Sequence, residues 1–180
     1  MQVEESGITL NFPDNNYFRF QDCNGYLQIQ SNFREMDACW YDQHNDTLYL
    51  IELKDWGDGI LNEERDAKFS AEYVEKLKND ITNARIRVLF EKSLDSMIIS
   101  VLLNKPYSVN IQRCIPFNIS NSTTIKLLSI INWTDSDLTY LSSVQSAYKS
   151  HFRPYATLFG IRSFVVMTKT QAINLFAWIA

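Results

Sequence analysis

Glu35-Met36-Asp37-Ala38-Cys39-Trp40-Tyr41 and Thr47-Leu48-Tyr49-Leu50-Ile51-Glu52-Leu53-Lys54, separated by the polar run Asp42-Gln43-His44-Asn45-Asp46, read as the two strands of a hairpin. A four-residue loop over 43–46 sets residue 42 against residue 47. Asp37 then faces Glu52, and Glu35 faces Lys54. Residues two apart share a face of a strand, so Leu48, Leu50, Glu52 and Lys54 lie on one side and Tyr49, Ile51 and Leu53 on the other. The second strand is apolar on both faces until its charges appear, which is the pattern of a central, doubly covered strand.

Directly opposed residues of an antiparallel pair stand about 5 Å apart at Cβ, and like charges at that distance repel. Two carboxylates at the end of a buried strand therefore call for a counter-charge. A divalent cation supplies one: Asp37 and Glu52 offer hard oxygen ligands to Mg²⁺ or Mn²⁺, the Leu53 carbonyl offers another, and waters and a phosphate oxygen complete the shell. Lys54, beside such an ion, is placed to orient or help deprotonate an attacking water and to stabilise charge building on phosphorus. The competing reading is a surface hairpin with a Glu35–Lys54 ion pair and two incidental carboxylates.

The acidic residue on one strand followed fifteen positions later by Glu52-Leu53-Lys54 resembles the core signature of the PD-(D/E)XK nuclease superfamily, over roughly residues 26–103. The resemblance implies a restriction-endonuclease-like mixed sheet flanked by helices and Mg²⁺- or Mn²⁺-dependent hydrolysis of phosphodiester bonds. It further implies nucleic acid as partner, DNA favoured over RNA, and a use in defence, restriction or repair. Asp37, Glu52 and Lys54 are the catalytic candidates, with Asp37, Glu52 and Leu53 as metal ligands. Two departures are visible. Met36 stands where the motif's name puts Pro, and the acidic residue that many members carry on a preceding helix has only Glu4, Glu5 or Glu35 as stand-ins. Members often also place a polar or basic group on the helix after the E-x-K strand; Lys92, with Asp95, Ser96 and Ile99 on its face, and Lys68 are the competitors, each set against the plain alternative of a solvated side chain.

Working outward, Gly7–Phe12 and Tyr17–Gln21 flank the turn formers Pro13-Asp14-Asn15-Asn16 and suggest a first hairpin. Tyr26–Ser31 alternates like another strand. From Asn62 the period changes: Phe69, Tyr73, Leu77 and Ile81, then Phe90, Leu94, Met97, Ile98, Val101 and Leu102, suggest two helices over 62–82 and 85–103, stopped by Lys105-Pro106. The stretch 106–124 reads as irregular. A buried strand over 125–133, a helix from Asp135 to about His151, a strand over 163–168 and a helix over 171–178 complete a mixed α/β (α+β) order expected to form one domain over 1–180. Trp56 is a candidate base-stacking residue or a packing residue.

The 180 residues are 46% hydrophobic and 13% aromatic with 5 Gly and 4 Pro, which excludes low-complexity and disordered classes because such a chain can bury a core. The longest apolar runs fall far short of a membrane span, and the N-terminus reads as no export signal, so a cytoplasmic protein without a membrane partner is expected. Cys23, Cys39 and Cys114 are too dispersed for a thiolate zinc site and are expected to be reduced. Only His44 and His151 are present, and no P-loop, dinucleotide or nucleophile-elbow motif occurs.

The net charge of −4 is unevenly distributed: residues 1–103 carry 10 basic and 19 acidic side chains and residues 104–180 carry 7 and 2. Carboxylates suit hard cations and a basic region suits phosphates, although both also describe ordinary solvated surfaces. Lys149, Arg153, Arg162 and Lys169, interleaved with Tyr148, Phe152 and Tyr155, are the candidate contacts to a phosphate backbone. Cutting both strands of a duplex with one site per chain requires a homodimer, a partner subunit or two successive events. A non-catalytic interaction or inhibitor module retaining the fold is the alternative function.

Overall fold

The computed structural model describes residues 1–56, 70–102, 117, 119, 120, 122–133 and 138–180. Its centre is a five-stranded mixed sheet in the order β3-β4-β5-β6-β7, built from β3 (Tyr17–Phe18), β4 (Ala38–Asp42), β5 (Thr47–Trp56), β6 (Thr124–Trp133) and β7 (Ser163–Thr168). The first three strands run antiparallel, and β5, β6 and β7 run parallel. The hairpin register is the expected one, with Asp42 against Thr47 and Ala38 against Ile51. Ten consecutive residues of β5 pair with β6, which makes β5 an inner strand buried on both faces.

One face of the sheet presents Leu48, Leu50, Leu127, Ile131 and Val166 to two long helices, α2 (Ala71–Leu102) and α3 (Leu138–Phe159); a short α1 (Asn24–Leu27) precedes them in the chain. Ile86, Leu89, Met97 and Ile99 come from α2, and Val144, Tyr148 and Phe152 from α3. The other face presents Tyr49, Ile51, Leu53, Leu128 and Ile130 to a small hairpin, β1 (Gln2–Glu5) with β2 (Ile8–Asn11), and to α4 (Lys169–Leu175). Each aliphatic side chain buried in these layers contributes roughly 1.5–3 kcal/mol. The helix α4 starts with a capping box, in which the Thr168 hydroxyl accepts from Gln171 N–H and the Gln171 side chain accepts from Thr168 N–H.

Three expected elements are corrected. The first hairpin turns at Ser6-Gly7, where φ of +55° and +69° supplies the tight turn favoured by right-twisted strands, so Gln2–Glu5 pairs with Ile8–Asn11. Pro13–Asn16 is instead a crossing segment: Asp14 accepts from Trp40 Nε1 at 2.9 Å, and Tyr17 joins the main sheet opposite Trp40. Tyr26–Ser31 is not a strand; the chain forms α1 and further turns there, fixed by the Tyr26 hydroxyl donating to the Phe33 carbonyl at 2.8 Å. Nor are there two helices over 71–102. No Gly or Pro interrupts that stretch, and a single 32-residue helix forms. The expected starts at 62 and 135 and the irregular run over 106–116 lie outside the described residues. Helix α3 runs on past His151 to Phe159 with Pro154 inside it, where its missing N–H removes only one helical hydrogen bond.

Cys23 is disulfide-bonded, not reduced, whereas Cys39 is a free, buried thiol. No helix among the described residues is long and apolar enough to cross a membrane.

Candidate active site

The pairing of β4 with β5 ends at Ala38, and the chain entering β4 is held by the helix behind it. Arg34 N–H donates to Asp95 Oδ2 at 2.9 Å, and Met36 N–H to Ser96 Oγ at 2.8 Å. Asp95 and Ser96 lie one helical turn beyond Lys92, so a single face of α2 grips residues 34–36 and presents an ammonium beside them. Asp37 Oδ2 accepts from Leu53 N–H at 2.8 Å, a side-chain bond that takes over where the ladder stops.

Asp37 and Glu52 come together as the hairpin register requires, and Lys54 joins them. Glu52 is completely buried and Asp37 is 7% exposed. Lys54 Nζ is paired with Glu52 Oε1 and stands 3.8 Å from Asp37 Oδ2. Lys92 Nζ lies 3.0 Å from Asp37 Oδ1, 2.8 Å from Glu52 Oε1 and 3.0 Å from Glu52 Oε2. Two carboxylates and two ammonium groups thus form one compact, half-dry cluster near the middle of an inner strand, just past the point where its pairing with β4 stops. Despite both nearby ammonium groups, Glu52 Oε1 receives no hydrogen bond of good geometry.

Electrostatics follow from burial. Removal from water, reinforced by Asp37, pushes the Glu52 carboxyl up to about 7, with Lys92 and Lys54 pulling the other way. Burial works against the Lys92 ammonium, but Glu52 and then Asp37 outweigh it and hold its pKa above the ordinary lysine value.

Glu35 does not face Lys54. The chain leaves the sheet before Asp37, and the Glu35 carboxylate accepts from Gln21 N–H at 2.8 Å; burial raises its pKa. Glu5 lies in β1, 3.8 Å from Arg19, and Glu4 pairs within the same hairpin opposite Thr9. Lys92 is the residue that sequence reasoning undervalued. The available signal was its spacing of three and four residues to Asp95 and Ser96, but only the tertiary placement of α2 turns that face inward. Lys68 lies outside the described residues.

Trp56 is a packing residue. It is buried, meets Trp133 edge-to-face at 4.9 Å, and is covered by the Arg85 guanidinium 4.8 Å from its ring. Beside it, Lys54, Ala84, Arg85, Val88 and Leu89 complete a hollow of about 250 Å³. Of the expected basic-aromatic surface, Tyr148 and Phe152 are core residues stacked on each other at 5.7 Å, while Lys149 and Arg153 line a separate groove of about 730 Å³ above Ile161 and Phe164. Lys169 Nζ is donated to the Gly7 carbonyl at 2.9 Å.

The donor set fits a hard divalent cation. Two carboxylates converge, one buried carboxylate oxygen lacks a well-aligned hydrogen bond, and Leu53, whose N–H meets Asp37, carries a carbonyl engaged only by a long 3.3 Å contact from Ser6 Oγ among the described side chains. Mg²⁺ needs only one or two carboxylates, with water and substrate oxygens supplying the rest. No group of three or more His, Cys, Asp or Glu gathers among the described residues, so an all-protein cage of the zinc type is not built there. Comparison of the chain with protein-family models, curated proteins and solved structures found no match.

Proposed function

We propose that this chain is a Mg²⁺- or Mn²⁺-dependent nuclease of the PD-(D/E)XK type, one restriction-endonuclease-like domain hydrolysing phosphodiester bonds in nucleic acid. The observation that carries the reading is the meeting of Asp37, Glu52 and Lys54 where an inner strand loses its antiparallel partner, with Glu52 fully buried. A structural ion cluster has little reason to bury a carboxylate beside another, because desolvation costs several kcal/mol per ion. The order of an antiparallel pair, a helix and then a parallel strand also supports the fold reading.

In this reading Asp37 and Glu52 hold the cation, with Leu53 contributing its carbonyl. When bound, the cation polarises a phosphate oxygen and acidifies a water. Lys54, 26% exposed at the rim of the cluster, orients that water by hydrogen bonding and offsets negative charge on the phosphorus oxygens. DNA is the favoured polymer, restriction, defence or repair the favoured setting, and a homodimer or partner subunit the favoured means of cutting duplexes; Lys149 and Arg153 are the favoured phosphate contacts.

A second reading has its own observation. Both carboxylates already face two lysines within 3.8 Å, which is what a non-catalytic module would need to keep them quiet. Cleavage assays separate the two. With plasmid, linear duplex, single-stranded DNA and RNA, each in Mg²⁺, Mn²⁺ or EDTA, the wild type is expected to cut with metal only, and Lys54→Ala and Asp37→Ala to fall about 100-fold or more. Absence of cutting on every polymer, together with no Mn²⁺ binding in calorimetry, selects the module.

A further inference from the structure

Lys92 Nζ touches the same oxygens that the proposed metal ligands would offer: Asp37 Oδ1 at 3.0 Å and the two Glu52 oxygens at 2.8 and 3.0 Å. Three carboxylate oxygens around one cationic centre is the environment of a bound ion. An ammonium and a divalent cation cannot share it, since at about 3 Å their repulsion in a partly dry site far exceeds thermal energy. With Lys92 in place the cluster of Asp37, Glu52, Lys54 and Lys92 is formally neutral, so little net charge remains to attract a cation.

Resting on the nuclease reading, we infer that Lys92 is an internal counter-ion that the metal must displace, and that it sets the cation concentration at which the site fills. The geometry provides a way out. Lys92 is carried on α2 by four methylenes and its side chain is 19% exposed, so the ammonium reaches water by rotamer change while the helix stays anchored through Asp95 and Ser96. Filling the site then releases a cation close to where a phosphate backbone would lie. The role of Lys92 is therefore distinct from that of Lys54, which sits 3.8 Å from Asp37 Oδ2, whereas Lys92 stands 3.0 Å from Asp37 Oδ1.

Calorimetry with Mn²⁺ on the full chain tests this against Lys92→Met, which keeps the stem and removes the charge. Displacement predicts Mn²⁺ binding at least about tenfold tighter in the variant, because the competitor is gone and the site gains a net negative charge. It also predicts a lower melting temperature in EDTA that Mn²⁺ raises by more than it raises the wild type. Equal or weaker binding in a folded Lys92→Met overturns the inference and leaves the nuclease reading standing. No Mn²⁺ binding by either protein overturns both. Should Lys92→Met not fold, the wild type decides: acetic anhydride labelling read by mass spectrometry is expected to modify Lys92 several-fold faster with Mn²⁺ than with EDTA, and a rate indifferent to Mn²⁺ overturns the inference.

Discussion

Two carboxylates along one stretch of chain, Asp46 just before β5 and Glu52 near its middle, are satisfied in opposite ways. At the N-terminal end, Asp46 sits in the turn at φ +44° and accepts from Thr123 Oγ1 at 2.7 Å, Tyr41 Oη at 2.9 Å and Ser122 Oγ at 3.3 Å, while its main-chain oxygen accepts from Thr124 N–H. Those hydroxyls, Thr123 first and then Tyr41, lower its pKa. Near the middle of the strand, Glu52 meets the ammonium groups of Lys54 and Lys92, has no well-aligned donor at Oε1, and is raised to about 7. Neutral donors of fixed geometry suit a permanent joint that staples the hairpin to β6. Mobile cations around a dry carboxylate suit an exchangeable site. On the proposed reading, the kind of partner each has, not sequence spacing, separates a structural carboxylate from a chemical one.

That contrast can be broken between the two carboxylates, where both sites depend on the same core. Leu50 is fully buried between them, and Leu50→Ala is expected to cost about 2–5 kcal/mol in urea unfolding and to weaken metal binding and the hairpin joint together. An effect confined to one site would show that the two sites are independent.

A smaller effect sharpens the difference through pH. Because the folded Glu52 pKa is raised above its ordinary value of 4.5, the folded state holds more protons than the unfolded one between about 4.5 and 7. Its contribution to stability is therefore present at low pH and lost as pH rises through that window. Glu52→Gln in EDTA is expected to flatten this part of the urea midpoint profile, and an unchanged slope would remove Glu52 as its source. Asp46, with a lowered pKa, has the opposite sign: its contribution is present above its ordinary value of 3.8 and fades on acidification.

The smallest effect is expected at the joint itself. Asp46→Asn keeps one acceptor oxygen for the hydroxyls, so its melting temperature should fall less than that of Leu50→Ala, and metal-dependent cleavage should stay within about twofold of wild type. A cleavage loss comparable to that of Asp37→Ala would erase the distinction between the two carboxylates.

The hairpin register was legible because loop length fixes pairing, and Asp37, Glu52 and Lys54 followed from it arithmetically. The same arithmetic failed two residues further on, for Glu35, because pairing stops at Ala38 and nothing local marks that stop. Lys92 was legible only as one of two competing helix lysines, set against a solvated side chain. It lies 55 positions from Asp37, and its direction depends on which side of α2 packs on the sheet, which its neighbours Asp95 and Ser96 settle only through contacts with Arg34 and Met36. The Ser6-Gly7 turn was readable from its dipeptide, but the louder Pro13-Asp14-Asn15-Asn16 cluster competed with it.

The small hairpin behind the sheet has a kinetic implication. Strand β2 is finished on its outer side by main-chain bonds from Thr9 N–H to Ala180 O and from Ala180 N–H to Thr9 O, with Leu10 bridged to Ile179. Gly7 is held so close to Asn132 that an added methyl would sit 2.8 Å from its side-chain nitrogen. These contacts join segments almost the whole described chain apart. Loop closure on that scale is entropically slow, so the hairpin is expected to dock late in folding, after β4, β5 and β6 have formed the surface it covers.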